Sequence, residues 1–287
     1  MHRLMINVNV LEQLSSDLSK SVNPVRFAQS LGFNLDAWQR DLLLSNRKRV
    51  LLLAARQVGK SSVCSMLALH YSLNNPDSLV LVLSSSLRQS SELFKRIIGF
   101  YRDLGRPLPA ETLTALTLKM TNGSRIVSLP SQESTIRGFS GVDLILIDEA
   151  ALVPDELYRA VRPMLAVSEG RLIAMGTPHG QRGWFFNEFT NGGDKWKRYT
   201  IKADQCPRIS KAFLTEERQA LGTYWFEQEY ECIFHQSEAS IFRLELIKAS
   251  IGDFEELDIN LDDEDYGDDV PLVDSTYELH LEHLDDL

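Results

Sequence analysis

The stretch that most constrains this 287-residue chain lies between Val50 and Leu73. Val50-Leu51-Leu52-Leu53-Ala54 is uninterruptedly apolar, as expected of a strand covered on both faces, and Ser62 to Leu73 carries apolar residues at helical spacing. Between them runs Ala55-Arg56-Gln57-Val58-Gly59-Lys60-Ser61. A strand that feeds a helix through such a loop builds an anion site. The backbone N–H groups of the loop and of the helix start point outward, and the helix dipole favours negative charge there. Gly59 lets the backbone approach phosphates, Lys60 is placed to reach the β/γ-phosphates, and the Ser61 hydroxyl can ligate Mg2+. Ala54 stands where the usual GxxxxGK[ST] pattern has its first glycine. The plainer reading is a strand-to-helix turn with an exposed Lys60.

The rest of the chain keeps the same alternation. Leu79–Leu83, Leu144–Ile147 and Arg171–Met175 read as further strands, and Trp196–Ala203 as another. Helices are expected over about Gln89–Leu104 and Thr215–Cys232. Leu116–Met120 and Arg125–Leu129 flank Asn122-Gly123, a strong hairpin signal. Runs as apolar as Leu144–Ile147, separated by helices, predict an α/β fold with a mostly parallel central sheet flanked by helices.

Leu144–Ile147 runs straight into Asp148-Glu149. Two carboxylates directly after four buried apolar residues are costly unless they are used. At a strand's C-terminal end they face the crevice where α/β sheets bind ligands. Asp148 is placed to hold the Mg2+ shell and Glu149 to orient and activate water for attack on a γ-phosphate. Together with the loop 88 residues upstream, the pair reads as a nucleoside-triphosphate hydrolysis site.

These motifs, in this order, resemble the large subunit of phage terminase. The resemblance is carried by Ala55-Arg56-Gln57-Val58-Gly59-Lys60-Ser61, by Thr135-Ile136-Arg137-Gly138-Phe139-Ser140 shortly before Asp148-Glu149-Ala150, and by Gly176-Thr177-Pro178 after the next strand. It covers roughly Phe33 to Phe242. It implies a P-loop NTPase fold of the ASCE type that hydrolyses ATP with Mg2+ to move double-stranded DNA. It implies an ATP site made by Gln39, Arg56, Gln57, Val58, Gly59, Lys60, Ser61 and Ser62. Gln39, in Asp36-Ala37-Trp38-Gln39, would read the adenine edge, and Arg56 would contact or sense the γ-phosphate. Arg137 would reach a neighbouring subunit's nucleotide in a homo-oligomeric ring. Gly176, Thr177 and Pro178 would couple the phosphate to subdomain movement. His179, Gln181 and Arg182 follow and could touch DNA or nucleotide. The implied partners are double-stranded DNA, the portal and the small terminase subunit, in a host cytoplasm.

Charge and composition add boundaries. Of 40 acidic residues, 15 fall between Ile251 and Leu287, where there is no Lys or Arg; positions 1–250 are net +5. A mildly basic body is compatible with nucleic-acid contact without demanding it. Cys64, Cys206 and Cys232 form no CxxC pair, which points to a reducing compartment rather than a disulfide framework or zinc site. No apolar run approaches the ~20 residues of a membrane helix, and the N-terminus shows no signal peptide, so a soluble intracellular chain is expected. The expected organisation is a helical lead-in over 1–32, a P-loop ATPase domain over 33–242, and a linker with an acidic, solvated tail over 243–287, where 270–287 could form a short helix. Terminases also carry a nuclease domain. Asp258, Asp262, Asp263 and Asp265 sit in a polar run with no strands to hold metal-binding carboxylates, so no nuclease activity is expected here. The alternatives are a helicase-like P-loop translocase and a split or degenerate remnant that binds nucleotide, DNA or a partner. The tail could also compete with DNA phosphates for the body's cations.

Overall fold

The computed structural model describes residues 8–130, 136 and 138–236. All lie in the first of the two units into which the chain divides, Met1–Ile241 and Phe242–Leu287. The expectations for 243–287, acidic tail and nuclease alike, fall outside the described residues, as does Arg137.

An eight-stranded sheet organises the fold. Its strands are β1 (Arg49–Ala54), β2 (Leu79–Ser84), β3 (Ala110–Leu113), β4 (Thr117–Met120), β5 (Arg125–Pro130), β6 (Leu144–Asp148), β7 (Arg171–Gly176) and β8 (Lys197–Ile201), in the order β3-β4-β5-β2-β6-β7-β1-β8. The six from β5 to β8 run parallel to one another; at one edge β4 pairs antiparallel with β5, and β3 with β4. The parallel strands are the apolar runs: β2 and β6 are buried along their whole length, β1 and β7 from their second residue. Such strands need cover on both faces, which is why the sequence alternates them with helices.

The helices are α1 (Val8–Val22), α2 (Pro24–Ser30), α3 (Ala37–Leu44), α4 (Lys60–Asn74), α5 (Leu87–Asp103), α6 (Asp155–Val161), α7 (Gly183–Asn191) and α8 (Lys211–Tyr230). α5 starts two residues earlier than its apolar spacing predicts, because the Ser86 hydroxyl caps it by accepting from Gln89 N. It buries Leu93, Phe94, Ile97 and Tyr101. The helix expected over Thr215–Cys232 is broken: Gly222 takes φ 72°, ψ 171° inside α8, so two helical pieces meet at a kink. The last expected strand is shortened to Lys197–Ile201, and Ala203–Gln205 turns instead as a 3-10 helix.

The Asn122-Gly123 hairpin joins β4 to β5, and its turn is also a docking point. Asn122 Nδ2 donates to Ser72 O at the end of α4 (2.9 Å), and Asp77 N donates to Asn122 O (3.0 Å). Gly123 has φ +83°, and a Cβ there would lie 2.0 Å from Asp77 Oδ1. Gly123→Ala therefore combines a left-handed alanine with a collision. It should lower the unfolding free energy by at least about 1 kcal/mol; chemical denaturation of the two chains measures it, and equal midpoints would refute this role for the turn.

Candidate active site

Strand β1 delivers the loop. Its last residue, Ala54, is paired with Ile201 of β8, and Ala55 N donates to Ile201 O (2.9 Å). At position 54 the chain is still extended strand, so nothing there requires the glycine of the usual pattern. The turn comes later, where Gln57 (φ 60°) and Gly59 (φ 96°) take left-handed conformations. Lys60 then opens α4, with Gly59 as its N-cap.

Strand β6 delivers the acids. Asp148 ends it, next to Ser84 of β2 in register, and is 8% exposed. Glu149 follows in a left-handed turn (φ 48°, ψ 47°), a costly conformation for a residue with a side chain. Gly176, at the end of β7, packs under that turn: a Cβ on it would stand 3.1 Å from Ala150 N and 3.5 Å from Glu149 Cα. Glu149 N donates to Asp148 Oδ1 (3.0 Å). The Lys60 ammonium, on a residue only 8% exposed, lies 3.7 Å from Glu149 Oε1. Loop and acid pair thus converge at the C-terminal edge of the sheet, with β7 between their strands.

Burial, then the neighbouring Glu149, pushes the Asp148 carboxyl from its ordinary 3.8 up to about 6, against the pull of Lys60, Glu149 N–H and the Ser61 hydroxyl. A cavity of about 400 Å³ opens beside the pair, lined by Ser61, Asp148 and Glu149 and by Gln89, Glu92 and Arg96 of α5. Arg96 Nη1 donates to Ser62 Oγ (3.0 Å). Motif spacing did not single out Gln89 or Arg96; the one local sign is that Gln89 stands three residues after the cap Ser86.

The other sequence candidates are placed as follows. Gln39 is buried against the loop: its Oε1 accepts from Asp36 N (2.9 Å) and its Nε2 donates to Val58 O (3.5 Å). Arg208, which no motif announced, forms a forked pair with Asp36 and donates to the same Val58 carbonyl (3.1 Å). The Arg56 guanidinium is engaged by Glu229 of α8, which raises its pKa further; its main-chain N also donates to Glu229 O (3.2 Å). Thr177 and Pro178 are buried just past β7. Gln181 donates to Phe234 O (2.9 Å) and Arg182 lies against His179 (3.4 Å). In the motif containing Arg137, Ile136 is buried in the core.

The donor set fits a hard cation with phosphate. Ser61 and Asp148 offer oxygen ligands, and Asp148 is a buried carboxylate that a nearby cation would relieve. Among the described residues no group of three or more His, Cys, Asp or Glu could hold a metal by itself. Mg2+ shared between one or two protein oxygens and substrate phosphates needs no such group.

A parallel sheet with a phosphate-type loop on one strand and two acids on another defines the class: an α/β nucleotide-site fold. The family follows from comparison. The model of the family described as terminase large subunit, T4likevirus-type, N-terminal, matches residues 51–249, and the chain belongs to that family. It is 26% identical over 186 residues to the terminase large subunits of Thermus virus P23-45 and Thermus phage G20c, covering 58% of this chain but 38% of each relative. It thus spans under half the length of the curated relatives it matches. The fold is that of the Thermus phage P74-26 large terminase ATPase domain (TM-score 0.64, 22% identity, 73% of this chain and 97% of that one). It is also that of a large terminase from a thermophilic bacteriophage in complex with ATP-gamma-S (TM-score 0.59, 15% identity, 70% and 53%).

One prediction concerns Asp148. Its folded pKa is raised, so ionising it costs folding stability. The cost is absent below the unfolded value near 3.8, grows as pH rises to about 6, and is complete above. Asp148→Asn removes that cost. At pH 7.5 in EDTA it should raise the unfolding free energy by about 1–3 kcal/mol, with the gain fading on acidification towards pH 4. A variant no more stable than wild type at pH 7.5 would refute the burial argument.

Proposed function

We propose that residues 33–242 are the ATPase unit of a DNA-packaging motor of terminase type, which hydrolyses MgATP to move double-stranded DNA. The observation that carries this reading is the 3.7 Å approach of Lys60 to Glu149 beside the buried Asp148, bringing together groups 88 and 89 residues apart in sequence. Family membership supports it, as does the likeness to large terminases solved with ADP and ATP-gamma-S.

In this reading MgATP supplies the phosphoanhydride bond and a metal-screened terminal phosphate. The chain's residues do the rest. Backbone N–H groups of Gln57 to Ser62 and the Lys60 ammonium hold phosphate oxygens. Ser61 and Asp148 would hold Mg2+, which would screen the phosphate charge. Glu149, whose carboxylate is fixed by its left-handed turn, accepts a proton from attacking water. Gln39 lies beside the loop to meet the base, and Arg56 exchanges its Glu229 partner for phosphate. Arg137 serves a neighbouring subunit's site in a homo-oligomeric ring. Gly176, Thr177 and Pro178 relay the state of the site, because Gly176 packs so closely under the Glu149 turn that a Cβ there would meet its backbone. The portal and small terminase subunit are the partners in this reading. Among the described residues no helix is long and apolar enough to cross a membrane.

Hydrolysis should be lost in both Lys60→Ala and Glu149→Gln, with nucleotide binding weakened only in the first. Turnover surviving in both would remove the ATPase reading. Arg137→Ala should cost about 10³-fold in turnover while ATP binding stays intact; a wild-type rate would refute its role. Double-stranded DNA should stimulate hydrolysis more than single-stranded DNA, and the reverse preference would favour a helicase-like translocase.

A further inference from the structure

The loop that leaves β2 reads Ser84-Ser85-Ser86, and all three hydroxyls converge on one atom. Ser84 Oγ (3.0 Å), Ser85 Oγ (2.6 Å) and Ser86 Oγ (3.2 Å) each donate to Gln89 Oε1. A carbonyl oxygen has two lone pairs, so three donors saturate it and fix the orientation of the amide. Helix capping accounts for only part of this. Ser86 caps α5, but a capping box would send the glutamine carbonyl to the Ser86 backbone N–H, and Ser84 and Ser85 lie outside the cap.

The consequence is at the other end of the amide. With its oxygen committed, Gln89 offers only the two N–H donors of Nε2, which find no partner among the described residues. Gln89 lines the cavity that also contains Ser61, Asp148 and Glu149. Ser84, one of its anchors, is the strand neighbour of Asp148. Glutamine is neutral, so it adds no charge beside the two carboxylates. An oriented donor suits an anionic oxygen. It does not suit a water that must give up a proton, for which Glu149 is the acceptor.

We propose that Gln89 is a catalytic residue: its Nε2 donates to an oxygen of the terminal phosphate, and the serine triplet holds it there before substrate arrives. The proposal rests on the ATPase reading above. Preorganised donors of this kind act mainly where charge rearranges in the transition state, so they govern kcat more than binding.

Two variants of the full 287-residue chain test it, assayed for ATP turnover with double-stranded DNA and for ATP affinity by displacement of a fluorescent analogue. Gln89→Glu keeps the serine-bonded acceptor and loses the donor. Gln89→Met keeps the length, stays neutral and loses both. If Gln89 only ties the loop down, the neutral Gln89→Met loses turnover only in step with its thermal stability. In the proposed role both variants lose about 100-fold in kcat, and Gln89→Met, still folded at the assay temperature, keeps its ATP affinity within about 3-fold of wild type. Wild-type turnover in either variant overturns the assignment alone. A wild-type chain with no Lys60-dependent turnover overturns the ATPase reading and this assignment with it.

Discussion

The site depends on keeping a carboxylate and an ammonium buried together. Lys60 and Asp148 are each 8% exposed, and Glu149 spans the gap between them. Lys60 has the Glu149 carboxylate as its partner, and its charge in turn offsets part of the cost of burying Asp148. Each is delivered by a rigid element, Lys60 by the first turn of α4 and Asp148 by the end of β6. The parallel sheet puts both at the same edge, because strands running one way present all their C-terminal ends together. The eight-strand frame, the apolar runs and the covering helices all serve that juxtaposition.

One local strain holds it in register. Glu149 takes a left-handed turn directly after an extended strand, which aims its side chain back towards Lys60. The turn is possible because Gly176 has no side chain to occupy the space of the Glu149–Ala150 backbone. The last residue of β7 thereby packs close beneath the acid's main chain. A displacement of either would be felt by the other, which is a physical basis for coupling between them.

The loop itself is fastened from outside the sheet core. Val58 O accepts from both Gln39 and Arg208, and Arg56 is held through backbone and side chain by Glu229. Residues from α3, from the turn after β8 and from α8 thus converge on two loop positions, 56 and 58. The kink at Gly222 separates the half of α8 that carries Glu229 from the half that begins near Arg208.

Much of this was legible in the residues. The apolar runs of β1, β2, β6 and β7, the Asn122-Gly123 turn, the Gly59-Lys60-Ser61 loop and the Asp148-Glu149 pair follow from periodicity and local backbone demands, which neighbouring residues set. The early start of α5 and the break at Gly222 were missed, because a serine cap and a glycine's φ/ψ choice depend on what packs nearby. Arg96, Arg208 and Glu229 had no signal and Gln89 only its place three residues after the cap Ser86, since each gains its meaning from a residue on another element or from the cavity it faces. The sequence alone determined the parts: buried parallel strands, an anion-binding turn and two acids at a strand end. Only the tertiary structure decided that turn and acids share one cavity, which side chains hold the loop, and that Gln89 lines that cavity. Hydrophobic patterning specifies elements locally, whereas contacts between groups some 90 to 170 residues apart are set by strand order and packing.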